Sequence, residues 1–318
     1  DVGELRHPPS GAGLSALRLR HNTVRPSGHG RSRQVGPALF ATLRHMDVAY
    51  QGEPGAFSEG AVLEVFPDAK PMPCDTVRLV FSRVTSGEAA FGVVPLENSQ
   101  AGSVNQTYDL LLHTSLVSIV GEVVVPVDHA LLGVPGARLE DIKRVYSHPQ
   151  ALAQSEEFLA SLRVEVVPVH DTAGAARMVA EAGRAEEAAV ASVEAGAQRG
   201  LTVLAERIQT YPENFTKFAV IGTADPGLGP ADKTSLVFAV ADRPGSLVGA
   251  LQAFADRGIN LTKLESRPRR GAPFEYVFYV DLETAADRDE VDLALAEVRT
   301  HTSMLRVLGS YPGHRAQA

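Results

Sequence analysis

Cysteine is almost missing from this 318-residue chain, in which Cys74 stands alone. A single thiol excludes a disulfide framework and any zinc site built on cysteines. Long apolar runs are missing too. A bilayer-spanning helix needs about 18 or more apolar residues in a row. The longest candidate, 117–127, is interrupted by Glu122 and Pro126, so no membrane partner is expected. Tryptophan is absent, which excludes nothing. There is no excess of base: 30 Lys and Arg face 38 Asp and Glu, a net charge of -8. A general grip on nucleic acid is therefore not expected. Apolar residues make up 44% and charged residues 21%, which is too apolar for a disordered chain. The length points to two or three domains.

Several chemistry-bearing motifs are also lacking. Gly52 and Gly55 do not have dinucleotide-binding spacing, and Gly227-Leu-Gly229 lies in a Pro/Gly-rich stretch. No GxxxxGK[ST], HExxH or EF-hand loop occurs, and no metal site is expected. Ser99, His148 and Asp171 could form a hydrolytic triad, but no GxSxG elbow surrounds Ser99. His113 and His129 read as surface or satisfied polar residues rather than metal ligands.

Residues 1–45 differ from the rest. They hold seven arginines against Asp1 and Glu4, are rich in Gly, Pro, Ser and His, and lack helix or strand periodicity. We expect a disordered, Arg-rich N-terminal extension, with an organelle transit peptide as the alternative. Patterning begins at Asp47, just after the first methionine, Met46.

From there, strand and helix signals alternate. Strands are expected over 47–50, 89–96, 117–125, 143–146, 164–169, 188–192 and 217–222. Helices are expected over 56–65, from Pro149, from Ala173, where Asp171 and Thr172 form the cap, and after the strand 188–192. This order implies an α/β domain with a largely parallel sheet over 46–223. The stretch 224–231 reads as a linker. Beyond it the order changes to strand 234–241, helix 245–256, strands 259–266 and 275–281, helix 286–299 and strand 304–309. That βαββαβ order predicts a ferredoxin-like domain over 232–312, with 313–318 as a tail.

Five polar clusters sit where strands end: 51–59 (QGEPGAFSE), 95–103 (PLENSQAGS), 147–150 (SHPQ) with Gln154 a turn further on, 170–174 (HDTAG) and 214–218 (NFTKF). Ligands of α/β sheets bind at such loops. Three of the clusters open helices, whose free N–H groups favour anions. A small dicarboxylate held by local dipoles and Lys217 fits this pattern.

In this order the clusters resemble the prephenate dehydratase family with a C-terminal ACT regulatory domain. The shared elements are Gly-x-x-Gly-x-Phe-Ser-Glu (52–59), Pro-Leu-Glu-Asn-Ser-x-x-Gly-Ser-Val (95–104), Ser-His-Pro-Gln-x-x-x-Gln (147–154) and Asn-x-Thr-x-Phe (214–218). In the second domain, Gly-Ser-Leu-Val (245–248) resembles a Gly-Ala-Leu-Val element, and Glu-Ser-Arg-Pro (265–268) matches the family's own. Two departures stand out. Lys217 replaces the usual Arg and so loses the bidentate fork. The 171–176 cluster looks more like the arogenate-preferring plant enzymes than the Ser-rich bacterial version.

The resemblance implies a two-lobed, periplasmic-binding-protein-like (type II) catalytic domain. Lobe one would be about 47–124 plus 204–223 and lobe two about 125–203, with crossings near Val125 and Val203. Substrate would lie between the lobes and lose CO2 and its ring hydroxyl to give phenylpyruvate, with no cofactor. Thr216 matches the catalytic Thr. Asn98, Ser99, Gln150, Thr172, Asn214, Lys217 and Phe218 would contact substrate; His148 would contact it or cap a helix. Phenylalanine would bind between two paired ACT domains, at Gly245, Ser246, Leu247, Val248 and Asn260 of one and Glu265, Ser266, Arg267 and Pro268 of the other. A homodimer or homotetramer and a cytoplasmic location are expected. Arogenate dehydratase is the near alternative, and a non-enzymatic amino-acid-binding protein the distant one.

Overall fold

The computed structural model describes residues 46–223, 228–269, 272, 274–283 and 288–314. The expected extension 1–45, linker positions 224–227 and the end of the tail lie outside the described residues.

Two mixed sheets form the first part of the chain. In one, the order is β2 (Lys70–Cys74), β1 (Asp47–Gln51), β3 (Phe91–Asn98), β11 (Phe215–Gly222), β5 (Ser118–Pro126), with β4 (Gly102–Ser103) hairpinned onto β3. In the other it is β10 (Thr202–Ala205), β6 (Ala130–Gly133), β9 (Glu187–Ala191), β7 (Arg144–Ser147), β8 (Glu165–Pro168). The expectation of a largely parallel sheet is corrected. β1, β2 and β3 are parallel, as are β7, β8 and β9, but β11 runs antiparallel to β3 and β5, and β6 antiparallel to β9 and β10. The reason is topological. The chain leaves lobe one along β5 and re-enters along β11, so these neighbours must oppose; β6 and β10 repeat this in lobe two.

The second crossing lies later than expected. Val203 pairs with Leu132 inside lobe two, and the chain returns only between Ala205 and Phe215. The crossing segments brace each other: Ile208 N donates to His129 O (3.0 Å), Val127 N to Asn214 O (2.8 Å) and Gln209 Nε2 to Asp128 Oδ1 (2.6 Å).

Helices begin where strands end. α1 (Phe57–Val65) follows β1, α4 (Pro149–Gln154) follows β7, α6 (Thr172–Ala182) follows β8 and α7 (Val193–Gln198) follows β9. Helices α2 (Val77–Ser86) and α3 (Asn105–His113) cover the far face of the first sheet, and α5 (Glu156–Leu162) extends α4.

The second domain has strand order β13 (Leu261–Pro268), β14 (Tyr276–Glu283), β12 (Lys233–Val240), β15 (Thr302–Tyr311). Helices α8 (Ser246–Ala255) and α9 (Arg288–His301) cover one face through Phe238, Phe254, Leu282 and Val298. The other face docks on lobe one, where Val277, Tyr279, Leu308 and Tyr311 join Tyr108, Leu111 and Ile119 in one core. Arg306 donates to the carbonyls of Leu112, Thr114 and Val117 (2.8, 2.7 and 3.1 Å), satisfying the end of α3 and the loop that follows it. Lys233 bridges Glu122 (2.7 Å) and Asp281 (2.9 Å) across the same boundary.

Candidate active site

A cavity of about 370 Å³ lies between the lobes. Lobe one supplies Gln51, Phe57, Ser58, Asn98 and Thr216; lobe two supplies His148, Gln150, Gln154, His170, Asp171 and Thr172; His129 comes from the first crossing. Among the described residues, no Lys or Arg lines it. Positive potential comes instead from helix starts, since α1 and α6 both begin at its wall. Asp171 caps α6, its Oδ1 accepting from Gly174 N (2.7 Å). His148 caps α4, with Nδ1 accepting from Gln150 N (3.2 Å), so it is both a cap and part of the cavity wall. That bond puts the ring proton on Nε2.

The polar floor is a set of amides with only one consistent orientation. Asn98 Oδ1 accepts from the backbone N–H groups of Gln100 (3.1 Å) and Ala101 (3.0 Å), and from Gln150 (3.4 Å) and Gln154 (3.2 Å). Its Nδ2 must then face the other way, toward Thr216 Oγ1 (3.0 Å), Asn214 Oδ1 (2.8 Å) and Phe215 O (3.1 Å). A hydroxyl has one donor and two lone pairs. Asn98 occupies a lone pair of Thr216, which leaves the O–H free to donate into the cavity and polarises it for that task.

Five of the expected residues thus share one cavity: Asn98, His148, Gln150, Thr172 and Thr216. Four others do not line it. Ser99 Oγ accepts from Phe215 N (3.0 Å) and donates to Glu213 O (3.2 Å), tying two loops together. Asn214 is buried behind Asn98. Lys217 lies opposite Glu97 in the β11–β3 register, on the sheet face turned away from Thr216, because adjacent strand residues alternate. Phe218 is buried in the core with Val48 and Val220. The hydrolytic triad is not assembled, since Ser99 is outside the cavity and His148 Nδ1 holds a backbone N–H. Sequence reading did not assign Gln51, Phe57, Ser58, Gln154, His170 and Asp171 individually, although all fall in the five clusters; His129 carried no signal. Of the two histidines read as surface or satisfied polar residues, His113 is exposed and His129 is buried with Nε2 hydrogen-bonded to Gln154 (2.9 Å).

The lobes meet closely beside the cavity. Glu53 pairs with Arg177 (2.9 Å) and Arg199 (3.4 Å), and Ser192 Oγ donates to Gly55 O (2.6 Å). Partly exposed ion pairs contribute about 0.2–1 kcal/mol, so they orient closure. The Gly55 contact sets its distance, since a Cβ there would lie 2.4 Å from Ala195 Cα.

In the second domain, Gly245 starts α8 at φ +84°, a conformation that suits glycine, and Val248 is exposed. Ser246 is buried, Leu247 packs into the helix-side core, and Asn260 Nδ2 donates to Glu283 (2.9 Å). The Glu-Ser-Arg-Pro element is split between faces. Glu265 and Arg267 turn to lobe one of the same chain, where Glu265 accepts from Ser103 and Arg267 donates to Asn105 O (2.9 Å) and pairs with Asp109 (3.4 Å). Ser266 pairs with Phe278 in register and shares its helix-side face. Pro268 lies on that same face by alternation.

Burial pushes the His129 imidazole below its ordinary value of 6.5. Burial and the nearby His170 do the same to His148. The unfolded chain therefore binds protons near pH 6.5 that the folded chain refuses, so stability falls as pH drops below about 6.5. Thermal midpoints at pH 7.5 and 5.5 measure the fall, and His129→Gln is expected to shrink it.

The prephenate dehydratase family model matches residues 48–226, and the ACT domain model matches 234–300. The chain belongs to the prephenate dehydratase family. It is similar to arogenate dehydratase 5, chloroplastic, of Arabidopsis thaliana, at 44% identity over 87% of this chain and 69% of that protein. Among solved structures, the prephenate dehydratase of Arthrobacter aurescens in complex with L-Phe superposes with a TM-score of 0.75 at 36% identity, covering 83% and 89% of the two chains. GqqA, described as a novel type of quorum quenching acylase, superposes at 0.77 with 35% identity, covering 84% and 98%. These dehydratase relatives fit the two-lobed, periplasmic-binding-like type II arrangement followed by an ACT domain.

Proposed function

We propose that this chain converts prephenate to phenylpyruvate, with feedback by L-phenylalanine. The bond from the ring to its carboxylate breaks, and its electron pair enters the ring. The ring C–O bond breaks in turn, and hydroxide departs with a proton from solvent as water. Thr216 donates its free hydrogen bond to the departing oxygen, where charge develops. The starts of α1 and α6, with Gln150, His148 and Thr172, hold the carboxylates and carbonyl. The observation that carries this reading is the Thr216 hydroxyl, with a lone pair engaged by Asn98 and its proton free. Incubation with prephenate, followed by the ultraviolet absorbance of phenylpyruvate, tests it; no product would overturn it.

Asp171 favours arogenate as a second substrate. It is the one carboxylate among the described residues lining the cavity. Arogenate carries an ammonium where prephenate carries a ketone, and a charge-assisted hydrogen bond is worth about 1.5–3 kcal/mol. Asp171→Asn keeps a good helix cap. It is expected to lower the ratio of kcat/KM for arogenate over prephenate by about tenfold or more. An unchanged ratio removes Asp171 from selection.

Feedback would run through paired ACT domains in a homodimer or homotetramer. Lys263 on β13 contacts Glu97 (3.0 Å), Ser103 (2.9 Å) and Glu265 (3.0 Å). Glu97 and Ser103 bracket the hairpin that carries Asn98. Burial pulls the Lys263 ammonium down, but the Glu265 and Glu97 carboxylates outweigh that and raise it above its ordinary value. Lys263→Met is expected to weaken inhibition by phenylalanine while calorimetric binding to the full chain persists.

A further inference from the structure

We infer that His129 is a positioning residue for Thr216, acting as a neutral imidazole protonated on Nε2. It holds the row of amides that ends on the Thr216 hydroxyl. Donor direction can be followed along this row without ambiguity. The backbone N–H groups of Gln100 and Ala101 fix Asn98 Oδ1, so Asn98 Nδ2 donates to Asn214 Oδ1 (2.8 Å). Asn214 Nδ2 then donates to Gln154 Oε1 (3.1 Å), and Gln154 Nε2 to Asn98 Oδ1 (3.2 Å). Gln154 Oε1 therefore faces His129 Nε2 at 2.9 Å as an acceptor. Two acceptors cannot bond, so Nε2 carries the proton and Nδ1 a lone pair.

The surroundings hold the ring in that state. His129 is 2% exposed, and Nδ1 is buried with no hydrogen-bond partner among the described residues. A second proton would place an unpaired N–H there, a costly arrangement. Phe57 of α1 meets the ring edge-on with centroids 5.7 Å apart. Burial outweighs the two influences that favour protonation of the ring, the hydrogen bond to Gln154 and then the charge of Asp128, which is itself paired with Arg207 (3.5 Å). The backbone is pinned as well: His129 N donates to Gln209 Oε1 (3.0 Å), and His129 O accepts from Ile208 N (3.0 Å).

The row draws on β3, the approach to β11, α4 and the first crossing. It is complete only with the lobes in this arrangement. His129 thus ties hinge geometry to the orientation of Asn98, and through Asn98 to the free proton of Thr216.

The kinetic part of the test rests on the dehydratase reading, whereas the spectroscopic part needs no substrate. Nitrogen-15 NMR of the full chain, with the His129 signals assigned by their loss in His129→Gln, is expected to show an Nε2–H tautomer that stays neutral below pH 6.5. An Nδ1–H tautomer or a charged ring at pH 7 would overturn the inference. With prephenate, His129→Phe is expected to lower kcat about tenfold while KM changes less than about threefold. His129→Gln, whose amide can donate to Gln154, should recover to within about threefold. Equal loss in both folded variants, or a change confined to KM, would overturn it. Gln154→Glu changes no volume and replaces the donor to Asn98 with an acceptor, so it should lower kcat as His129→Phe does. Wild-type turnover in that variant would count against the row.

Discussion

Thr216→Ala is expected to lower kcat on prephenate by about 10²–10³-fold, the usual cost of losing one donor to a developing oxyanion. The threonine hydroxyl is a poor acid, so its contribution is electrostatic. In the proposed mechanism it meets the departing oxygen with a proton the protein does not otherwise use, because Asn98 fills a lone pair on the Thr216 oxygen. Fold damage should be small. Asn98 Nδ2 keeps Asn214 Oδ1 and Phe215 O, and the β11 backbone ladder is untouched. Thr216→Ser keeps the hydroxyl but loses the branched carbon that restricts its rotamers, so an intermediate loss is expected. Single-turnover and steady-state rates, with thermal midpoints as controls, decide the matter. Wild-type turnover in a folded Thr216→Ala chain would remove the residue from its role.

Gly55→Ala is expected to be almost as damaging, although Gly55 is not assigned a contact with substrate. Two effects combine. Gly55 sits at φ +89°, which costs a residue bearing a Cβ about 1 kcal/mol or more. The added carbon would also lie 2.4 Å from Ala195 Cα and 2.8 Å from Ala195 N, where ordinary contact is 3.4–4 Å. Those are backbone atoms across the lobe boundary and cannot swing aside. The lobes must part by roughly an ångström, carrying Gln150, Gln154 and Thr172 away from Asn98 and Thr216. A misplacement of that size typically costs about 10²-fold, so kcat/KM should fall by that order. Gly183→Ala is the control. It has φ +65° and open space around the new carbon, so it should lose stability without losing turnover.

How legible this was in the sequence depends on what each residue reports locally. The ferredoxin-like domain was legible because β12 is an apolar run flanked on both sides by Pro and Gly, and β14 is an apolar run entered just after Gly271 and Pro273. The start of α6 was legible because Asp171 is a side-chain cap. Helix α3 is preceded by Val104 at the capping position, which makes no side-chain cap, so its start left no sign. Helix α2 has the cap Thr76 and the spacing of Val77, Val80, Phe81 and Val84, but its β-branched residues obscure the period. Strand β2 carries two prolines and reads as a loop; it is tolerated because it is an edge strand paired to β1 alone. At the site, the motifs located the right loops but not the faces. Lys217 and Thr216 are neighbours in sequence and therefore opposite in direction, a consequence of strand pleating that a motif does not encode. His129 matters only through partners 25 or more positions away, which local spacing cannot show.

Arg306, far from the chemistry, bears on how the two domains can be separated. Its guanidinium satisfies three carbonyls of the other domain, beside the core that Tyr108 and Tyr279 share. A chain cut short before Lys233 would bare a greasy flat patch, strand those oxygens and leave Glu122 without its ammonium neighbour. Such a fragment should clump on expression rather than survive as an unregulated catalyst, so removing feedback calls for point substitutions, not amputation.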